Sequence, residues 1–175
     1  MKTQIGAPVA PDFDHPIEML DACHERIQDQ IDTLDRLLVH LAAHGCDEQA
    51  TRAAANVMRY FDTAGEHHHE DEEIDLFPLL EARSTGASPL TERLRADHAN
   101  MRVRWHTLRV QLSAIAEGTS KQLDPTLVDA FARLYRDHIA LEESELFPLA
   151  ERVLDNPAAE MLGAHMARRR GVQVT

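Results

Sequence analysis

HHHEDEEIDLFPLLEAR, residues 67–83, is the stretch that decides the fold, because residues 138–152 repeat its pattern as HIALEESELFPLAER. Both stretches read His-x-x-x-Glu-Glu-x-x-Leu-Phe-Pro, starting at His68 and again at His138. Residues four apart on a helix share one face, so the histidine and the first glutamate of each copy point the same way. The repeat therefore predicts two helices that carry the same polar pair.

A second, shorter match precedes each long motif. The pattern Leu-x-Ala-x-His ends at His24 in the first half of the chain and at His98 in the second half. The chain is thus interpreted as one helical hairpin written twice, each hairpin having a helix with one inward histidine and a helix with the long motif. Such a duplication predicts a pseudo-two-fold bundle.

Apolar residues recur at steps of three and four along almost the whole chain, which predicts helices and no strands. Pro78 is expected to kink or stop the second helix, because proline removes a backbone donor and clashes with the preceding turn. Capping residues, prolines and glycines place the ends of five helices: Asp14 to Gly45, Asp47 to Phe77, Ser88 to Gly118, Asp124 to Phe147, and Asn156 to about Arg168.

Short connections between the first four helices predict antiparallel neighbours. The expected fold is all-α, an up-down-up-down four-helix bundle over residues 1–155, followed by a short C-terminal helix and tail over residues 156–175.

Composition excludes several classes of partner. The chain has 175 residues and a net charge of −12, which argues against nucleic acid and anionic membranes. Its two cysteines form no CxxC pair, so neither a disulfide framework nor a cysteine zinc site is indicated. The first residues, MKTQIGAPVAPDF, lack the apolar core of a secretory signal, and we therefore expect a cytoplasmic protein.

Histidine is abundant, with 11 copies, and its placement indicates a metal site. The polar pairs lie on helix stripes that also carry apolar residues, so they are expected inside the bundle. Buried carboxylates are costly without partners, and a pair of divalent cations bridged by two glutamates would supply those partners. Imidazole and carboxylate with open positions favour iron, while zinc, manganese and cobalt remain chemically admissible. The predicted ligands are His24, His68, Glu72, His98, His138 and Glu142.

Several neighbouring residues leave alternatives open. Glu143 competes with Glu142 as the ligand of the last helix. Otherwise Glu73 and Glu143 are expected to face solvent or to bind a ligand histidine and fix its tautomer. The remaining candidates are weaker: His67 and His69 as solvated or ligand-contacting groups, His106 as a core or reserve histidine, Tyr60 and Tyr135 as packing groups that could line the cavity, and His15, His40, His44 and His165 as surface groups.

This ordered set of histidines and glutamates, with Leu-Phe-Pro closing both motifs, resembles the hemerythrin family in its bacterial HHE cation-binding branch. The resemblance covers about residues 14 to 153. It implies a four-helix bundle and a non-haem di-iron centre that meets dioxygen, nitric oxide or a related oxidant such as peroxide. An oxo or hydroxo bridge between the two irons is compatible with it.

The chain departs from the oxygen-carrying members of that family. Those carriers use five histidines, one glutamate and one aspartate, and their third helix carries His-x-x-x-His. Here Arg102 stands four residues after His98, so the fifth histidine is missing. The set of four histidines and two glutamates is closer to that of the repair-of-iron-centres proteins and of the iron-sensing domain of a ubiquitin-ligase subunit.

Two classes of function follow from the predicted centre. The first is binding or sensing of dioxygen, nitric oxide or labile iron by a protein that is a monomer or a homodimer. The second is an enzyme that reduces nitric oxide or peroxide, or that donates iron for the repair of iron-sulfur clusters. A storage or structural metal site without turnover is a third option.

Overall fold

The structure, a computed structural model, describes residues 12–172, and no β-strand is present in that range. The predicted all-α class is confirmed. The elements in chain order are α1 (Pro16–His44), α2 (Glu48–Phe61), α3 (Ala64–Glu70), the first π-helical turn (Asp71–Leu76), α4 (Phe77–Arg83), α5 (Ser88–Ala116), α6 (Pro125–Leu141), the second π-helical turn (Glu142–Leu146), α7 (Phe147–Val153) and α8 (Asn156–Arg169).

Consecutive segments join into two long composite helices. The first composite helix (48–83) runs from α2 to α4, and the second composite helix (125–153) runs from α6 to α7. Helices α1 and α5 each pack against both composite helices, which closes a four-helix bundle as predicted.

The bundle interior has two apolar clusters with a polar layer between them. The larger cluster includes Ile27 and Phe131, and the smaller one, nearer α8, includes Leu20 and Phe147. His24 lies on α1 between Leu20 and Ile27 and is itself buried. Apolar packing on both sides therefore encloses the polar layer and shields it from water.

Aspartates cap two of the bundle helices at the predicted places. The Asp47 carboxylate accepts the Ala50 backbone N–H at 2.9 Å, and the Asp124 carboxylate accepts the Thr126 backbone N–H at 2.8 Å. Each cap satisfies one of the backbone donors that the first helical turn leaves without a partner.

The predicted Asp14 cap is wrong. α1 begins at Pro16, and His15 occupies the cap position without a side-chain bond to the first turn. Asp12 instead organises the preceding turn, because its Oδ1 lies 3.1 Å from the Asp14 backbone N and 3.0 Å from His15 Nδ1. The fixed φ of proline starts the helix without a side-chain acceptor.

The prediction of one continuous second helix is also wrong, because Asp62 and Thr63 interrupt it. The Asp62 carboxylate accepts the Trp105 ring N–H at 2.9 Å and the Arg109 Nε–H at 2.8 Å. The Thr63 hydroxyl donates to the Arg59 carbonyl at 2.6 Å. The Thr63 bond to a backbone carbonyl competes with the helical backbone pattern, and the Asp62 bonds attach the interruption to α5.

Neither proline of the Leu-Phe-Pro motifs stops its helix. α4 continues through Pro78 to Arg83, and α7 continues through Pro148. A π-helical turn precedes each proline, with the Phe77 N–H donating to the Glu72 carbonyl five residues earlier. This wider turn absorbs the missing proline donor and the ring clash that would break a regular α-helix.

α8 packs across the start of α1 and against the first π-helical turn. Gly163 lies so close to the Phe13 carbonyl that a Cβ at this position would collide with it.

α8 begins at Asn156, where the predicted second segment starts, but the division into 1–155 and 156–175 stays a prediction and its outer ends lie outside the described residues. Residues 1–11, which form most of the N-terminal stretch that lacks the apolar core of a secretory signal, also lie outside the described residues. No helix in the part of the chain that the structure describes is long and apolar enough to cross a bilayer.

Candidate metal centre

The six side chains predicted as ligands converge in the polar layer between the two apolar clusters. None of them is more than 2% exposed. α1 and α5 each contribute one histidine, and each composite helix contributes one histidine and the first glutamate of a π-helical turn: His24, His98, His68 with Glu72, and His138 with Glu142.

A first group of four combines His24, His68, Glu72 and Glu142, whose donor atoms all lie within 4.8 Å of one another. His24 Nε2 is 3.0 Å from Glu142 Oε2, and His68 Nε2 is 3.3 Å from Glu72 Oε1. Two imidazole nitrogens and two carboxylate oxygens thus face a common point, which is a donor set typical of divalent transition metals.

A second group combines His98 and His138 with the same two glutamates, again within 4.8 Å. His98 Nε2 is 3.3 Å from Glu72 Oε2, and His138 Nε2 is 3.0 Å from Glu142 Oε1. Each carboxylate therefore turns one oxygen toward each group. The two groups can hold two cations with both glutamates between them.

The glutamate that follows each inward glutamate binds the outer nitrogen of a histidine from the other half of the chain. Glu143 Oε1 lies 3.1 Å from His24 Nδ1, and Glu73 Oε1 lies 2.7 Å from His98 Nδ1. A carboxylate on the outer nitrogen keeps the proton there and leaves the inner nitrogen free to bind a cation. This is one of the two roles predicted for Glu73 and Glu143.

Burial and their mutual proximity shift the pKa values of the two inward carboxylates in opposite directions. Burial, and next the neighbouring Glu142 charge, raise the pKa of Glu72 well above its usual range. Burial would also raise the pKa of Glu142, but the charge of His138 and the hydrogen bond of His24 outweigh it and hold that pKa well below its usual range. Glu72 therefore holds a proton more firmly than an ordinary carboxylate does, and a cation bound between the two carboxylates would compete with that proton.

The two histidines of the first group also differ. Burial lowers the pKa of His68 well below its usual range, so this ring is neutral. Burial also pulls down the pKa of His24, but the hydrogen bond and charge of Glu142 outweigh it and raise the pKa to about 9. His24 must therefore release a proton before its inner nitrogen can bind a cation.

Unpartnered polar atoms test whether this donor set fits a metal. Both oxygens of Glu72 and Oε1 of Glu142 are buried without a hydrogen-bond partner among residues 12–172. Buried carboxylate oxygens without partners cost several kcal/mol. A cation in each group would satisfy all three oxygens, so the residues fit a pair of divalent cations.

The structure separates the two competing glutamates of the last helix. Glu142 is fully buried and belongs to both groups, whereas Glu143 is 47% exposed and meets only the outer nitrogen of His24. Glu143 and exposed Asp21 also form a third group of donors with His24, but both of these carboxylates are at the surface. Arg102, which stands where the carriers have a fifth histidine, points to Glu73 at 3.1 Å and belongs to neither group.

Three of the weaker histidine predictions need comment. The interpretation of His106 as a core or reserve histidine is wrong, because eight residues of helix rotate it away from the face of His98 and expose it. His165 is not a plain surface group, since it is half-buried with its Nδ1 2.6 Å from Asp75 Oδ1. His67 is partly exposed, as expected.

His69 is the main residue that the spacing argument underestimated, since it is 3% exposed and not solvated. Its ring stacks on that of His98 with centroids 4.0 Å apart. Its Nε2 lies 3.5 Å from the buried Tyr135 hydroxyl, and burial lowers its pKa well below the usual range. In the sequence, only the run of three adjacent histidines pointed to His69, and that run does not show which of the three rings faces the interior.

Comparison with known proteins agrees with this geometry. The sequence model of the family described as hemerythrin HHE cation-binding domain matches residues 15–150 of the chain, and this range includes all six candidate residues. A Haemophilus influenzae protein, described as an uncharacterized protein, is 32% identical over 161 residues, which cover 92% of this chain and 93% of that protein.

Proposed function

Because the chain belongs to the hemerythrin HHE cation-binding family, we propose that it holds two iron ions and uses them to bind or sense a small ligand, dioxygen or nitric oxide, or labile iron itself. The observation that supports two ions is the sharing of both glutamates by two separate groups of histidines. The proposed ligands are His24, His68, Glu72, His98, His138 and Glu142.

The donor set supports iron over zinc. Two imidazoles and two carboxylate oxygens for each cation form a non-haem iron set and, with further positions left free, give ferrous ions a place to exchange electrons with a small oxidant. A structural zinc site usually has cysteine among its four ligands. Cys23 belongs to neither group of donors.

The remaining residues support ligand binding in a dry, prearranged site. Glu73 and Glu143 hold the outer nitrogens of His98 and His24, so these two rings keep their orientation. The apolar clusters on either side exclude water, which protects a bound small molecule from side reactions. We place this activity in the cytoplasm, and the proposal does not require a partner chain.

One observation favours the enzymatic alternative, a di-iron enzyme that reduces nitric oxide or peroxide. These reductions consume protons, and the buried Tyr135 hydroxyl lies 3.5 Å from His69, whose ring stacks on His98. The pair reaches from the candidate centre toward a cavity of about 20 Å³ lined by Phe61, Gly65, Met101 and Trp105 among others. Tyr135 and His69 could therefore pass protons from this cavity to the candidate centre.

Metal analysis with Mössbauer spectroscopy on freshly purified protein tests the proposal. Two irons per chain, with a ferrous form that develops a bleachable visible absorption in air or with nitric oxide, are the expected result. Stoichiometric zinc in a colourless protein, or one cation per chain, would overturn it. Turnover of peroxide or nitric oxide well above that of free iron would favour the enzyme instead.

A further inference from the structure

Two buried aspartates of the first π-helical turn are held entirely by α8. Arg169 donates from Nη1 to Asp71 and from Nη2 to Asp75 at 2.7 Å. Arg170 donates to the other oxygen of Asp71 at 2.6 Å, and His165 Nδ1 lies 2.6 Å from the other oxygen of Asp75. All four carboxylate oxygens therefore have a partner on α8 or on Arg170, which directly follows it.

The same turn carries the two glutamates that face the candidate centre. Asp71 immediately precedes Glu72, and Asp75 follows Glu73 by two residues. Glu72 turns one oxygen toward each group of donors, and Glu73 fixes the ring of His98. The bonds to α8 thus hold the outer side of the turn whose inner side carries the donors.

The second half of the chain lacks this attachment. At the positions that match Asp71 and Asp75, the second half has Leu141, the last residue of α6, and Glu145 in the second π-helical turn. Leu141 is apolar, and Glu145 is exposed to solvent and forms no hydrogen bond or ion pair with any residue in the described range. The pseudo-two-fold symmetry of the bundle is therefore broken by α8 on one side.

We propose that Arg169 and Arg170 are positioning residues for Glu72, so that α8 controls how firmly the centre holds its cations. This inference rests on the proposed function. Without the arginines, two buried carboxylates would lose their cationic partners and turn toward water. The first π-helical turn would move with them, and Glu72 would leave its place between the two groups.

The test uses the full chain loaded with Co²⁺, whose visible bands report ligand geometry, and measures the rate of cation loss to a chelator. Arg169→Gln is expected to lose cobalt about tenfold faster with altered visible bands, as other outer contacts of metal ligands do. Arg169→Lys should restore part of the retention. The matched control is Arg168→Gln, because within residues 12–172 the exposed Arg168 side chain bonds only to the Ala164 carbonyl of its own helix, and wild-type behaviour is expected.

The outcomes separate the two proposals. If the wild-type chain fails to bind two cations, the proposed function fails. If it binds two but Arg169→Gln keeps the wild-type rate and bands, even with a lower melting temperature, the positioning role is refuted. Should that variant not fold, Asp75→Asn is compared with Glu145→Gln, the matching position of the untethered turn. Faster loss in Asp75→Asn alone supports the role, and equal rates overturn it.

Discussion

At the scale of single residues, the four inward imidazoles differ in how firmly their rings are fixed. The outer nitrogens of His24 and His98 have a carboxylate at hydrogen-bond distance. For His138 the nearest carboxylate oxygen, on Asp97, is 3.6 Å away, and His68 Nδ1 has no partner in the described part of the chain. The outer side of the His68 ring is therefore held by packing alone.

The repeat explains part of this difference. Cys23 stands in the first half where Asp97 stands in the second, each one residue before the single inward histidine. A thiol is a weaker hydrogen-bond partner than a carboxylate. The sequence alone shows this difference between the halves. Only the coordinates show that His68 Nδ1 has no partner in the described part of the chain.

Glu72 gives the sharpest test at this scale, because it offers one oxygen to each group. Glu72→Ala is expected to abolish binding of both cations and the stabilisation that binding brings, about 2.7 kcal/mol for each cation at a concentration one hundred times its dissociation constant. Metal content and thermal unfolding with and without added cation measure it. Exposed Glu145→Ala is the control, and an unchanged metal content in Glu72→Ala would contradict the ligand set.

The spacing of four residues was enough to predict that Glu72 and Glu142 share a face with His68 and His138. It could not predict the burial of His69, because that residue points about 100° away from His68 on a helix. The first composite helix is covered by α1, α5 and α8 together, so more than one stripe of it is buried. Only the packing of several elements determines how wide the buried sector is.

At the scale of elements, the two π-helical turns are the feature that regular periodicity could not predict. A period of 3.6 residues extends each motif helix up to its proline and gives no reason for a wider turn. The bond from the Phe147 N–H to the Glu142 carbonyl, five residues back, lets α7 continue beyond Pro148. The turns also contain both pairs of consecutive glutamates, so the irregular backbone lies where the donors are.

Docking of α8 can be tested through Gly163, whose Cα lies against the Phe13 carbonyl. Gly163→Ala is expected to lower the free energy of unfolding by about 2 kcal/mol, because the added methyl group has no space. Chemical denaturation followed by circular dichroism measures this change. Gly86→Ala is the matched control, since a Cβ at Gly86 meets no atom within 4 Å. An equal effect of the two substitutions would show that α8 does not pack as described.

At the scale of the whole molecule, the protonation of the centre links cation binding to pH. The raised pKa of His24, about 9, means that its contribution to the stability of the cation-free fold is complete below pH about 6.5 and is lost as pH rises through about 9. A cation needs the neutral ring, so the proton and the cation compete. The raised pKa of Glu72 also makes a proton compete with the cation.

Apparent cation affinity is therefore expected to rise about tenfold for each pH unit between 6.5 and 9 through His24 alone. Titration with Co²⁺ in weakly buffered solution, with a dye that reports released protons, measures both quantities. His165, which lies outside both groups of donors, provides the comparison: His165→Gln should keep the slope. An affinity that does not change over this range would contradict the charge assigned to His24.

The crossing of glutamates between the halves has a further consequence. Three of the four donors of each group come from one hairpin, and the fourth is the inward glutamate of the other hairpin. Cleavage of the backbone in the turn at residues 84–87 would leave three donors of each group on one fragment and the fourth donor on the other fragment. The fragments would then depend on each other reciprocally, as two subunits do, and the intact bundle can be regarded as a pseudo-symmetric dimer that a four-residue bridge has made permanent.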